Sequence, residues 1–185
     1  QNTVCSGSSY GNAGFIVPSH IIPLASPGSI IKGLKWMIKK DSPFYIKPRM
    51  SIDLINWVLR FIAASTYSKF NTTTSKKIEM SLQSLLLYKE LIETEQFDVG
   101  FHQNGTLSVY STKHEFEKGK QESVILNDLG ISNIVMDQND ILDFEPTLSS
   151  IVKGGIFYDQ DAHITPDLFV KTLAGRIKSL GSVIE

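Results

Sequence analysis

The sequence predicts an α+β (mixed α/β) fold, in which helices come first and a mixed sheet with flanking helices follows. Three observations support this. Apolar residues recur at helical spacing before Phe97, they alternate with polar residues from Phe97 to Val109, and helical and strand patterns then follow each other up to Leu180. With 42% apolar residues in a chain of 185, there is enough apolar surface for a core.

Two helices are predicted in the first part of the chain, where five prolines prevent longer ones. In residues 28–40, GSIIKGLKWMIKK, the apolar residues share one side and Lys32, Lys35 and Lys39 take the other. The second helix, in SIDLINWVLRFIAAS, begins after Ser51 as the N-cap. Its residues are apolar almost all round, which predicts a buried helix. The prolines are Pro18, Pro23, Pro27, Pro43 and Pro48.

The middle of the chain predicts a further helix and then a hairpin. The Ser/Thr/Asn-rich residues 65–75 break the helical pattern, which resumes from Lys76 to about Thr94. The alternation from Phe97 to Val109 is interrupted by Asn104-Gly105, a dipeptide typical of tight turns between paired strands. We therefore expect residues 97–101 to pair with residues 107–109.

After residue 110, predicted helix caps mark where three further helices begin. Thr112 and Glu115 form a predicted capping box for a helix that extends to Gly130. A short strand, NIVMD, leads to Asp137 as the next cap, and that helix must stop before Pro146. After a strand in GGIFYDQDAHI, the last helix begins at Thr165-Pro166 and ends at Gly181, where SVIE begins another strand.

Composition narrows the class of protein. Eighteen basic and nineteen acidic residues leave a net charge of -1, which excludes the positive field that nucleic-acid binding needs. The one cysteine, Cys5, makes no internal disulfide and indicates a reducing, cytoplasmic compartment. No apolar stretch reaches the ~20 residues that cross a bilayer. The histidines are not spaced as ligands, so no metal site is predicted; they are His20, His102, His114 and His163.

Several segments resemble one known family. SSYGNAGFIVP (8–18) and PGSIIKGLKWMIKKDSPFYIKP (27–48) are similar to the region after the first βαβ unit in the D-amino-acid dehydrogenase branch of the FAD-dependent, glycine oxidase-like oxidoreductases. NGTLSVYST, DILDFEPTL and GGIFYDQDAHITPDLFVKTLAGRIKSLG resemble later parts of the same family, in the same order. The resemblance implies a piece of a two-domain FAD-dependent oxidoreductase, mainly its substrate-binding domain.

The resemblance also implies a cofactor loop. Gly11, Ala13 and Gly14 would let backbone N–H groups approach a flavin diphosphate, and Ser8 and Ser9 would add hydroxyl donors. Tyr10 departs from the family, which usually has a small residue there. The positions that match cofactor contacts in relatives are Ser8, Ser9, Asn12, Ala13, Gly14 and Phe15.

The sequence is expected to be a middle piece of a larger enzyme. It begins at Gln1 without a methionine, and the glycine-rich GxGxxG turn that holds FAD in this family is not found in it. We expect a flavin-facing loop with short helices in 1–70, a substrate-binding α+β domain in 71–165, and a helix and strand returning toward the FAD-binding domain in 166–185. We also expect the isolated piece not to retain FAD.

The implied activity is oxidative deamination of D-amino acids to 2-oxo acids and ammonia, by hydride transfer to flavin. Tyr110 and Tyr158, on strands that cover the flavin in relatives, are candidates for the substrate cavity; core packing explains two strand aromatics equally well. No side chain is assigned as a catalytic acid or base. The alternatives are an oxidase for glycine, sarcosine or an imino acid, and a non-catalytic α+β binding module.

Two interactions with partners are also predicted. The lysine-faced segment 28–40 has the composition of an interfacial helix, which would hold the protein at the inner face of the cell membrane. The family resemblance implies that a membrane quinone would accept the electrons there. Docking on the protein's own core, with solvated lysines, is the alternative. Sheet edges left open would favour self-association.

Overall fold

The computed structural model describes residues 4–21, 40–41 and 51–184. It confirms a fold that mixes helices with sheet. The chain divides into two compact units, one made of residues 1–20 and 80–185 and the other of residues 21–79. The predicted lysine-faced helix lies, except for Lys40, outside the described residues. The functional boundaries placed at residues 70 and 165 stay predictions.

In the unit of residues 21–79, the first described helix is α1, Ile52–Ala64. Ser51 caps it as predicted, because its hydroxyl accepts a hydrogen bond from the Leu54 N–H at 3.5 Å. The predicted burial is wrong: no residue of α1 is buried, and Ile52 is 78% exposed. The polar residues Asp53, Asn56 and Arg60 share one side of α1, and most of its apolar side chains are exposed.

The helix α2 spans Tyr67–Glu95. The predicted break at residues 65–75 is therefore wrong, because only residues 65 and 66, which connect α1 to α2, are not helical. Ser and Thr side chains favour breaks when they compete for backbone groups. Here the Thr72 hydroxyl donates to the Ser68 carbonyl of its own helix at 2.9 Å. Since that bond leaves the helical ladder intact, the polar stretch stays helical.

In the unit of residues 1–20 and 80–185, three strands form an antiparallel sheet in the order β2-β4-β3. The strands are β2 (Thr106–Tyr110), β3 (Ile134–Met136) and β4 (Gly154–Tyr158). The predicted mixed sheet is therefore wrong, since every ladder among the described residues is antiparallel.

The central strand, β4, needs glycine on both faces. A Cβ at Gly154 would meet Phe116 and one at Gly155 would meet Ile141, so a helix packs on each side.

Those helices are α3 (Lys113–Asp128) and α4 (Gln138–Phe144), and both begin at the predicted caps. The Thr112 hydroxyl accepts from the Glu115 N–H at 3.2 Å, and Asp137 forms a reciprocal capping box with Asp140. The helix α4 ends before Pro146, as expected. It covers a small core of Met136, Ile141 and Val152, with Leu107, Leu142, Leu148 and Phe157 around it.

The predicted hairpin is wrong. Its second half, β2, pairs with β4 rather than with residues 97–101. Those residues instead run beside β5 (Ala162–His163), where Val99 accepts a hydrogen bond from the Thr165 N–H at 3.0 Å and His102 forms a bridge to His163. Alternation located the strand β2 correctly, but residues 97–101 form no strand and Gly100 has a φ of 61°. Alternation also carries no information about the partner strand.

The last helix, α5, spans Pro166–Ser179 and starts after Thr165 as predicted. Gly181, at φ 89°, ends it in the left-handed conformation. Residues 182–184 form no strand, contrary to the expectation for SVIE. Across the described part of the chain, no helix combines the length and apolar character required to cross a membrane.

Candidate functional site

The predicted cofactor loop leads into β1 (Phe15–Ile16), which pairs with β5. The loop is shaped by two local hydrogen bonds. The Tyr10 N–H donates to the Gly7 carbonyl at 3.2 Å, and the Asn12 side-chain oxygen accepts from the Gly14 N–H at 2.7 Å. All six predicted cofactor residues are sequence neighbours in this segment, and the Asn12 side chain fixes its exit at Gly14.

One side of this loop is open. Ser8, Gly11, Asn12 and Ala13 are exposed, Ser9 is half-buried, and a Cβ built on Gly11 would meet no atom within 4 Å. The protein's own packing therefore does not explain the small side chains at these positions. An open strip of backbone without bulky side chains is what close approach of a diphosphate requires.

Gly14 has a different explanation. It is buried at φ +71°, and a Cβ there would overlap the Ile164 carbonyl oxygen. The Ile164 N–H in turn donates to the Gly14 carbonyl at 3.0 Å. The glycine is thus required by the chain's own backbone, and its N–H is already bound to Asn12.

Phe15 carries the next amide of the segment. It lies opposite His163 in the ladder, and the backbone N–H and C=O of His163 are both bonded to His102, at 2.9 Å each. Because antiparallel pairs alternate between bonded and non-bonded, the Phe15 backbone is turned away from β5. Its side chain is 65% exposed. Phe15 therefore directs its amide away from β5 and exposes its aromatic ring.

Asp161 anchors the segment that follows, and the sequence pattern gave no indication of it. Its carboxylate accepts the Ser19 N–H at 3.1 Å, the Ser19 hydroxyl at 2.5 Å and the Thr106 hydroxyl. Asp161 is completely buried. It therefore joins the stretch after β1 to the first residue of β2 and to the turn before β5.

Tyr10, the departure from the family pattern, stands on the outer edge of the loop. Its side chain is 70% exposed, and the ammonium of Lys171 lies 5.9 Å from the ring centre. Lys171 also pairs with Asp167 on α5 at 2.9 Å. The loop edge is thus close to the first turns of α5.

The two predicted substrate tyrosines share the face of the sheet that α3 covers. Tyr158 is only 5% exposed. The ring of Tyr110 lies 5.9 Å from that of Phe116, and a Cβ at Gly119 would meet it. These are contacts of core side chains, as in the packing alternative. A role in substrate binding stays a prediction for both residues.

Burial raises the pKa of Tyr158 to about 12, with smaller effects from Tyr110, Glu122 and Asp161. An unfolded tyrosine titrates near 10. The folded protein therefore retains the Tyr158 proton to a higher pH than the unfolded chain does. The resulting contribution to the free energy of unfolding is fully present below pH 10 and is lost as the pH rises through 12. We expect the melting temperature of the intact protein to fall more steeply over that window than that of Tyr158→Phe, measured by circular dichroism.

The matched control is Tyr67→Phe, because Tyr67 is 75% exposed. This variant should follow the wild-type alkaline curve. Parallel curves for the wild type and Tyr158→Phe between pH 10 and 12 would contradict the assignment.

Comparison with known proteins identifies the class. The family model described as FAD dependent oxidoreductase (DAO) matches residues 1–185. The chain therefore belongs to the DAO family of FAD-dependent oxidoreductases, which confirms the resemblance in its motifs and the predicted cofactor, FAD, for the family.

Within that family, similar curated proteins are D-amino acid dehydrogenases. That of Vibrio atlanticus is 26% identical over 184 residues, covering 98% of this chain and 44% of the relative. That of Rhizobium johnstonii is 24% identical over 177 residues, covering 94% of this chain and 42% of the relative. The chain thus spans less than half the length of these relatives.

Solved structures agree on the fold. A glycine oxidase from Geobacillus kaustophilus superposes with a TM-score of 0.61 at 16% identity, over 97% of this chain and 36% of that protein. An FAD-bound L-alpha-glycerophosphate oxidase from Mycoplasma pneumoniae superposes with a TM-score of 0.55 at 14% identity, over 92% of this chain and 32% of that one. At these identities the likeness shows a shared fold.

Proposed function

We propose that this chain supplies a cofactor loop and much of the substrate-binding domain of an FAD-dependent dehydrogenase that converts D-amino acids to 2-oxo acids and ammonia. The observation that carries the proposal is the open loop from Ser8 to Ala13, in which only Tyr10 has a bulky side chain, in a chain that matches the family from end to end. The similarity to two D-amino acid dehydrogenases supports the substrate class.

The loop residues fit a flavin dinucleotide. The Ser8 and Ser9 hydroxyls and the amides of residues 11–13 would donate to the diphosphate, and Phe15 would add an amide and an apolar ring. FAD, when bound, accepts the hydride that leaves the α-carbon of the amino acid. Asn12 and Asp161 would position this loop through their bonds to Gly14 and Ser19.

The second candidate is an oxidase acting on glycine, sarcosine or a cyclic imino acid. The superposition with a glycine oxidase is the observation that favours this second candidate. At 16% identity that likeness shows a shared fold and does not identify the substrate. The two candidates differ in their electron acceptor, because an oxidase reduces oxygen to peroxide. The third alternative, a non-catalytic binding module, has less support, since the whole chain matches an oxidoreductase family.

The electron acceptor in this proposal is a membrane quinone, reached by peripheral contact at the inner face of the cell membrane. Its support is the lysine-faced pattern of residues 28–40, almost all of which lie outside the described residues.

The proposal is tested on the intact protein with D-alanine, L-alanine and glycine as substrates. We expect dye reduction with D-alanine under anaerobic conditions, at least tenfold slower reduction with L-alanine, and no D-alanine-dependent peroxide in air. Gly11→Val should remain folded, because no atom lies near the added Cβ, but it should lose most bound FAD, since a side chain would block the diphosphate.

Peroxide formed in step with substrate oxidation would favour the oxidase. No turnover of any amino acid by flavin-loaded protein would reject both enzymes. Full FAD content in folded Gly11→Val would show that the open loop is not the cofactor contact.

A further inference from the structure

Two histidines from distant parts of the chain meet on one face of the ladder that contains β5. The His102 N–H donates to the His163 carbonyl, and the His163 N–H donates to the His102 carbonyl, both at 2.9 Å. This is a hydrogen-bonded antiparallel pair, in which the two side chains lie on the same side with their Cβ atoms about 5.5 Å apart.

The distance between the imidazole rings matches that of two ligands on one metal ion. Their centroids are 5.3 Å apart, with an angle of 39° between the planes. In a tetrahedral site the Zn–N distance is about 2.1 Å and each ring centre lies roughly 1.1 Å further out, which places two centroids about 5.2 Å apart. The observed separation of the two rings is therefore the one that two imidazoles on a shared ion would have.

Solvent reaches the pair. His102 is exposed and His163 is half-buried. The next side chain along the row is Phe15, directly opposite His163, and its ring offers no ligand. Among residues 4–21, 40–41 and 51–184, no group of three or more histidine, cysteine or acidic side chains is arranged to hold a metal. An ion bound here would thus keep water in its remaining positions, unlike a closed structural zinc site.

We propose that His102 and His163 form a two-histidine binding site for a divalent transition-metal ion of the zinc, nickel or copper class. Neutral imidazole suits these ions, whereas magnesium and calcium prefer oxygen ligands. The bound ion would link β5 to the segment that contains His102. Because an ion that binds the folded state preferentially also stabilises it, zinc should raise the melting temperature.

The test is calorimetric titration of the intact protein, without an affinity tag or chelator, with zinc chloride. We expect one site per chain in the wild type, and at least a tenfold loss of affinity in both His102→Ala and His163→Ala. His114→Ala and Cys5→Ser are the matched controls and should keep wild-type affinity. His114 is an exposed histidine on α3, and Cys5 is the one thiol of the chain.

Melting curves keep the test valid if a variant is destabilised. Zinc should raise the melting temperature of the wild type and His114→Ala but leave that of His102→Gln unchanged, whatever its starting value. Affinity within twofold of wild type in both alanine variants would overturn the proposal, as would the absence of zinc binding at millimolar concentration or equal binding of magnesium. None of these outcomes depends on flavin content, so they do not bear on the proposed enzymatic function.

Discussion

Asp161→Ala is expected to lower the free energy of unfolding of the intact protein by about 3–4 kcal/mol, measured by urea denaturation. The carboxylate is completely buried and accepts hydrogen bonds from the Ser19 N–H, the Ser19 hydroxyl and the Thr106 hydroxyl. Alanine would leave those donors without their acceptor inside the protein, and burying an unpaired donor has a cost of about 1–3 kcal/mol.

Asp159→Ala is the matched control, because Asp159 lies two residues earlier and is exposed. It should change the free energy of unfolding by no more than about 0.5 kcal/mol. Asp161→Asn keeps the shape and one acceptor oxygen, so its loss should fall between the two. If Asp161→Ala were as stable as Asp159→Ala, the buried carboxylate would not anchor this region.

Gly14→Ala is expected to be almost as severe, with a loss of about 3 kcal/mol or more in the free energy of unfolding. The left-handed conformation at φ +71° alone costs alanine roughly 1 kcal/mol, and the new methyl group would overlap the Ile164 carbonyl oxygen. Relief of that overlap requires β1 and β5 to separate. Since the exit of the loop at Gly14 then changes, bound FAD should be lost together with stability in a denaturation and absorbance assay.

Gly11→Ala is the control for the backbone effect, because Gly11 lacks a positive φ and has open space around it. It should unfold within about 0.5–1 kcal/mol of the wild type. A folded Gly14→Ala protein with unchanged stability would show that β1 and β5 tolerate the methyl group, which contradicts the contact geometry.

Local features of the fold could be predicted from the sequence, and distant pairings could not. The caps at Ser51, Thr112 and Asp137 were predicted correctly because each cap bond joins residues at most three positions apart. The strand Thr106–Tyr110 was located correctly but assigned the wrong partner. Its partner, β4, begins more than forty residues later, and strand alternation is the same whichever strand lies alongside.

The candidate site shows the same division. Small side chains in Ser8–Ala13 indicated an open loop, and the structure leaves that side uncovered. The role of Asp161 was missed because its partner Ser19 is 142 residues away. The pairing of His102 with His163 was missed for a similar reason, since ligand spacing within one helix or strand does not reveal residues joined by a bridge.

The hydrogen bonds that join Asp161 to Ser19 and Ile164 to Gly14 affect the order in which the chain folds during translation. Residues 14–19 leave the ribosome before the groups that hold them, because Asp161 is translated 142 residues after Ser19. At usual elongation rates this is a delay on the order of ten seconds. Such non-local contacts close late and slow folding. During that interval residues 14–19 have been made but lack their partners, and chaperones would have reason to shield them.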